Sequence, residues 1–266
     1  MKLHALLLPV VVTLGIVLLA CGGSDDGGSP TFDSPVTENR GTVELTWWGQ
    51  AMFVLTTADG TRVLLDPYGE IGYRVPTAEE LAADVVTVSH DHPDHSNVTL
   101  AGEATVLRGL TADGWASNDE TFSDTRIFSI DAFHDDSEGS ERGRNAMFVI
   151  ETADLRIAHL GDIGQAELTL EQLDALGQID VLLIPVGGVF TVDAAGATDI
   201  VGQIGPRIVV PMHYGTAVLA FDLDPVEAFL EGKDVREIAS STVGFDVDAL
   251  PEPGAAEIWV LEPAGG

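Results

Sequence analysis

The sequence predicts an α+β fold in which helices cover β-sheets, and three observations carry that reading. Beyond residue 41 the apolar segments begin as consecutive strands, alternate with helices further on, and repeatedly end on a histidine or an aspartate. "VELTWWGQAMFVLTTADGTRVLLDPY" reads as successive strands, with Asp59-Gly60 supplying a hairpin turn. "PTAEELAAD" reads as a short helix feeding the apolar strand "VVTVS", and "NAMFVIETADLRIAHLGD" adds two more strands. "ELTLEQLDALG" sets Leu168, Leu170, Leu173 and Leu176 roughly on one helix face, with Gly177 as the stop. "DVLLIPV", "DAAGATDIVGQI", "RIVVPM" and "DPVEAFLEG" then read as strand, helix, strand and helix, and "AEIWVLE" as the final strand. An antiparallel start followed by β/α alternation suits sheets with helices packed on them.

The N-terminal part obeys different rules. Lys2 precedes sixteen apolar or small residues, Ala5 to Ala20. That run is short for a membrane span, which needs about 20 residues, and suits a secretory signal. "LLAC" (Leu18 to Cys21) resembles a bacterial lipobox, which implies lipidation of Cys21 and a mature chain starting there. Cys21 is the sole cysteine. The expected organisation is therefore a lipoprotein signal peptide over 1–20, a Gly/Ser/Asp-rich tether over 21–40 and one domain over 41–266. The location it implies is the cell envelope, lipid-anchored to the membrane on the extracytoplasmic side. With no further cysteine, a metal in the domain must be held by His, Asp and Glu.

The formal charge is −31, and residues 1–20 hold Lys2 and no acid, so the mature chain carries 11 basic against 43 acidic residues, or −32. Lysine occurs only at Lys2 and Lys233. Such a surface repels polyanions, so a nucleic-acid partner is disfavoured. The acid excess suits a salt-rich habitat, where counterions screen self-repulsion, and equally the solubility of an ordinary acidic protein.

Chemistry concentrates in "SHDHPDHSN", directly after the strand "VVTV". His90 and His92 are one residue apart, so on extended backbone both side chains point the same way and can bind one metal. Pro93 then forces a turn, after which Asp94 and His95 reach a second position. Other groups follow apolar strands too: Asp66 after "RVLL", His134 in "DAFHDD", Asp162 after "RIAHLG" and His213 after "IVVPM". Strand ends on a rigid sheet are where functional groups gather. Imidazole nitrogens and carboxylate oxygens suit Zn2+, and also Mn2+ or Fe2+.

The order H-x-H-x-D-H, later His, Gly-Asp turn and final His resembles the metallo-β-lactamase superfamily of binuclear metallohydrolases. Through "HLGDIG", "IPVGGVFTVDAAGA" and "PMHYGT" it is similar to a branch of metal-dependent hydrolases related to ascorbate-6-phosphate lactonases. The resemblance covers about residues 43 to 261 and implies a four-layer αβ/βα sandwich holding two divalent ions, most simply Zn2+. It implies that His90, His92 and His134 hold the first ion, that Asp94, His95 and His213 hold the second, and that Asp162 bridges them. Asp66 then supports the ligands by hydrogen bonding, and Tyr214 is a candidate to polarise a substrate oxygen or a buried structural residue. His159, three residues before Asp162, is expected to be a packed or supporting group. The chain departs from the family pattern at Gln50, where relatives often carry histidine. The acidic loop "DDSEGSER" is either solvated or a carrier of specificity.

Such a pair of ions lowers the pKa of a shared water from 15.7 to about 7, and the hydroxide attacks a carbonyl or phosphoryl centre. Asp94 and Asp162 are the expected catalytic carboxylates. Three functions compete: a lipid-anchored hydrolase of a lactone, ester or amide; a phosphodiesterase acting on a phospholipid or small phosphodiester; and a non-enzymatic metal- or ligand-binding lipoprotein. A sugar-phosphate lactone fits poorly with an extracytoplasmic site. The charge generates a test of its own: screening should raise the melting temperature between low and molar sodium chloride. A flat or falling curve removes the high-salt reading.

Overall fold

The computed structural model describes residues 41–266. Cys21 and the proposed signal and tether segments lie outside the described residues. The first sheet has six strands in the order β13-β1-β2-β3-β4-β5, where β1 is Val43–Gly49, β2 Met52–Thr56, β3 Arg62–Leu65, β4 Val85–Val88, β5 Thr105–Arg108 and β13 Thr242–Phe245. The second has eight in the order β12-β14-β11-β10-β9-β8-β7-β6. These are β6 Asp119–Phe122, β7 Thr125–Phe133, β8 Arg144–Thr152, β9 Leu155–His159, β10 Val181–Pro185, β11 Ile208–Met212, β12 Val235–Ile238 and β14 Glu257–Leu261.

Both faces of the first sheet are covered, and the pleat decides which residue goes where. Phe53, Leu55, Val63, Leu65 and Val85 point to a core shared with the second sheet. Their neighbours Met52, Val54, Leu64 and Val86 point the other way, to a second core with Leu81 and Leu100. Leu81 ends the short helix α1 (Ala78–Leu81), which Thr77 and Glu80 start with a reciprocal capping box. On the second sheet every residue of β10 and β11 is buried, as parallel strands covered on both faces require. Helices α2 (Leu170–Leu176), α3 (Ala194–Ile204) and α4 (Glu227–Leu230) contribute Leu176, Ile200 and Phe229 to that core. The result is the expected sandwich: a thin helical layer, two mixed sheets and a second helical layer.

Two helices are shorter than the sequence suggests, α1 and α4 having four residues each. Leu170 departs from the expected helix face. It is the first residue after the Thr169 cap and is 77% exposed, whereas Leu168 and Leu176 are buried. Among the described residues no helix is long and apolar enough to cross a membrane.

Direction matters for the site. β3 and β4 run parallel, as do β9, β10 and β11. β7 pairs antiparallel with β8, and β8 with β9, so β7 and β9 point the same way. The carboxyl ends of β3, β4, β7, β9 and β11 deliver Asp66, His90, His134, Asp162 and His213. The packing predicts a contrast in urea denaturation. Phe148→Ala, at a fully buried position of β8, should cost about 3–5 kcal/mol. Leu170→Ala should stay within about 0.5 kcal/mol. Equal losses would overturn the observed facing of α2.

Candidate metal centre

Asp162 sits at the centre of the cluster. Its Oδ2 lies 3.3 Å from His134 Nε2, 3.3 Å from His213 Nε2 and 3.7 Å from His90 Nε2, and its Oδ1 lies 3.1 Å from His95 Nε2. Asp94 Oδ2 stands 3.3 Å from His95 Nε2 and 3.9 Å from His213 Nε2. Two groups result, each compact enough to hold an ion: His90, His92, His134 and Asp162, and Asp94, His95, Asp162 and His213. The structure therefore brings together all seven residues singled out as ligands, with Asp162 common to both groups.

The local backbone achieves this in a way the sequence did not foresee. His90 and His92 lie on a bend rather than on extended backbone, and the His95 N–H bonds to His92 O at 3.0 Å. Their rings nonetheless converge edge to face, with centroids 4.5 Å apart. Asp162 is aimed by Gly161, whose φ is +54°. A Cβ on Gly161 would meet Asn145 Oδ1 at 2.4 Å and Ser89 Cβ at 2.6 Å, so only glycine fits. Asn145, fully buried, donates to Leu160 O and accepts from the Asp162 N–H, fixing the turn from both sides.

Asp66 organises the histidines from beneath. His95 Nδ1 donates to its Oδ2 at 2.9 Å, and the Ser89 hydroxyl donates to the same oxygen at 2.5 Å. Ser89 Oγ in turn accepts from His90 Nδ1 at 2.9 Å, and the Ser89 N–H bonds to Asp66 Oδ1. One carboxylate thus sets the tautomer of two histidines and turns their Nε2 atoms towards Asp162. Asp66 and His213 hold φ values of +40° and +51°. Left-handed backbone at a non-glycine residue costs roughly 1–3 kcal/mol and is found where side chains are re-aimed for function.

Gln50 occupies the turn between β1 and β2, also left-handed, and is fully buried. Its Nε2 donates to Asp94 Oδ2 at 3.0 Å, and its carbonyl accepts from Trp47 Nε1 and the His213 N–H. The departure from histidine at this position thus places an amide donor on a candidate ligand. His159 is engaged at both nitrogens, Nε2 donating to Ala51 O at 2.9 Å and Nδ1 accepting from the Gly161 N–H. It packs within the scaffold. Tyr214 is buried against Trp47, ring centroids 5.4 Å apart, and is not among the residues that line the cleft above the cluster.

The electrostatics ask for positive charge. Burial opposes ionisation of Asp162, yet His213 and His95 hold its carboxyl well below the usual carboxylate range. Asp94 is likewise lowered against burial, chiefly by His95. Burial would lower His95, but Asp162 and Asp94 raise it well above the usual histidine range. His90, by contrast, is pushed well down by burial and by the neighbouring His95. Divalent ions fit these residues. His90 Nε2, His95 Nε2 and Asp162 Oδ1 are buried and have no hydrogen-bond partner; the last two approach each other but out of line. Each unpaired buried polar atom costs about 1–3 kcal/mol, a cost that metal ligation removes.

Sequence reasoning missed Ser89 and Asn145, and gave Gln50 no partner. Ser89 stands beside the histidine cluster in "SHDH", but nothing in the sequence joins it to Asp66, 23 positions earlier. The loop "DDSEGSER" is held by Asp135, whose carboxylate accepts from the N–H groups of Ser137, Gly139, Glu141 and Arg142. Its far end, Glu141 and Arg142, reaches the cleft.

Comparison with known proteins agrees with this geometry. A family model described as "Beta-lactamase superfamily domain" matches residues 44–213. A UPF0173 metal-dependent hydrolase of Anaeromyxobacter dehalogenans is 32% identical over 245 residues, covering 77% of this chain and 88% of the relative. Another from Myxococcus xanthus is 28% identical, covering 96% of this chain and 97% of the relative. The crystal structure of a protein of the metallo-β-lactamase superfamily from Thermotoga maritima superposes with a TM-score of 0.61 at 28% identity, covering 83% of this chain and all of that one. With the fold, the cluster and these similarities together, the chain belongs to the β-lactamase superfamily and, within it, to the UPF0173 metal-dependent hydrolases.

Proposed function

We propose that the chain is a binuclear hydrolase that adds water across the acyl bond of a lactone, ester or amide, anchored outside the cytoplasm through a lipid on Cys21. The observation that supports it best is Asp162, a buried carboxylate common to both candidate ligand groups. His90, His92 and His134 would hold one ion, Asp94, His95 and His213 the other, and Asp162 would touch both. Zn2+ suits this nitrogen-rich set, and Mn2+ or Fe2+ is compatible with it. When bound, such ions supply a water that ionises near neutral pH and positive charge for the developing oxyanion.

The chain's own residues do the rest. Asp94 is more open to the cleft than Asp162, its side chain 19% exposed against 3%. Gln50 fixes its Oδ2, which leaves Oδ1 to orient the attacking water and carry its proton to the leaving oxygen or nitrogen. Asp66 and Ser89 keep His95 and His90 in their tautomers throughout, so the ligand frame does not reorganise during turnover.

Two experiments test this. By elemental analysis, the wild type should hold close to two ions per chain and Asp162→Asn fewer, because the amide keeps the shape but loses the charge that offsets repulsion between two dications. His92→Ala should damage mainly the first site and His213→Ala mainly the second. Turnover of ester or lactone reporters should fall in all three by more than the roughly 10–100-fold expected for Asp66→Asn, a supporting partner. Circular dichroism checks that each variant folds. Full occupancy in Asp162→Asn sinks the bridging role, and two bound ions in a protein inert towards every reporter favour a binding role. For the anchor, Cys21→Ser should abolish lipidation and leave the protein uncleaved or free. Unchanged partition into detergent would refute the lipid anchor.

A further inference from the structure

The cleft above the cluster has a volume of about 590 Å³, within the range of roughly 300–1,000 Å³ typical of small-molecule sites. Its floor is His92, Asp94, His134 and Asp162, and one wall is apolar, built by Ile71, Phe190 and Phe221. Phe190 stands edge to face with Phe221, ring centroids 6.1 Å apart, and is 43% exposed. Val189 beside it is 53% exposed. Large apolar side chains left open together over a polar centre mark a binding surface, since covering them is what releases water.

The loop that presents Phe190 is held in place at a cost. Val189 has φ +59°, a conformation in which a β-branched residue is a genuine outlier. Arg142 reaches over from the "DDSEGSER" loop, and its Nη2 donates to Val189 O at 3.0 Å. The Phe190 N–H bonds back to Gly188 O at 2.6 Å. On the same wall the Ala220 N–H bonds to Ile71 O at 2.8 Å, tying Ile71 to the segment that carries Phe221. Strain of this kind persists where surrounding contacts enforce it, here to keep an aromatic ring beside the catalytic floor.

Charge narrows the occupant. Arg142 is the one Arg or Lys among the residues lining the cleft, its Nη1 lies 3.9 Å from Glu141 Oε2, and its other end is spent on Val189. Among the described residues that line the cleft Arg142 is thus the one cation, and Glu141 beside it offsets its charge towards a phosphate. Resting on the hydrolase reading above, we infer that the substrate is an ester or lactone whose acyl part carries an apolar chain, seated on Ile71, Phe190 and Phe221 while its carbonyl meets the floor. Water adds to the carbonyl carbon, the acyl C–O bond breaks, and the products are a carboxylate and an alcohol.

The test uses the metal-loaded protein and two series. In calorimetry, straight-chain carboxylates from butanoate to decanoate should bind about three- to fourfold more tightly per added methylene until the wall is covered. In turnover, 4-nitrophenyl esters from acetate to decanoate should show kcat/KM rising in step. Phe190→Ala should flatten both slopes, Phe190→Leu should restore most of them, and Leu170→Ser, exposed on α2 outside the cleft, should leave them as in the wild type. Chain-length-independent binding and turnover in the wild type would overturn the inference, as would a slope that survives Phe190→Ala undiminished. Graded binding without turnover of any ester or lactone would keep the apolar wall and sink the hydrolase reading. Turnover without grading would do the reverse.

Discussion

A carboxylate removed from water among histidines is the constraint from which the rest of this structure follows. Burial of an isolated ionised carboxylate costs several kcal/mol, and only closely placed partners offset it. Asp162 is 2% exposed, and four histidine nitrogens from three other chain segments lie within 3.1–3.7 Å of it. Those segments are the ends of β4, β7 and β11, which belong to both sheets. The carboxylate therefore keeps its partners only while the two sheets stay in register at this edge. That explains why backbone bonds link the sheets there: Ala146 N–H to Ser89 O, and His213 N–H to Gln50 O. The bond from His159 to Ala51 O does the same with a side chain.

Four of the ten left-handed non-glycine residues among those described belong to this logic. Gln50, Asp66, His213 and Val189 adopt positive φ, and all four lie at or beside the site. Strain there is tolerable because the stabilising burial lies elsewhere, in one core between the sheets and another outside the first. The scaffold is apolar and conventional, while the edge above it holds unpaired nitrogens, a crowded glycine and twisted turns. A bound metal would answer the unpaired atoms and the negative field together, and its binding would add to folding stability as well as chemistry.

How far this was visible in the sequence depends on what each feature rests on. Strands buried on both faces, such as "VVTV", "VLLIP" and "IVVPM", announce themselves by continuous hydrophobicity. β5, β6, β12 and β13 do not, because each has four residues of which at most one is buried. Leu170 misleads because a leucine in the first helical turn satisfies the spacing without facing the core. The clustered histidines and aspartates were readable because metal chemistry restricts the residue type and strand ends restrict the place. Their supports were not: the bonds from Gln50 to Asp94 and from Asn145 to Leu160 and Asp162 join residues whose types have many uses and whose separation carries no pattern.

The same distinction separates reaction from substrate. The candidate metal-holding groups come from strand ends, where the register of a buried sheet controls position. The apolar wall comes from loops around residues 71, 190 and 221, held by Arg142 and a few backbone bonds. In the sequence, Ile71 and Phe221 look like any core residue, and nothing in "GGVFTV" says that Phe190 is left uncovered. Sheet packing couples the floor to the stability of the whole domain, so a change there endangers folding. Ile71 shares that coupling through the second core, whereas Phe190 is 43% exposed and belongs to neither core, so the wall can be rebuilt at Phe190 for a different ligand while Asp162 and its histidines stay where they are.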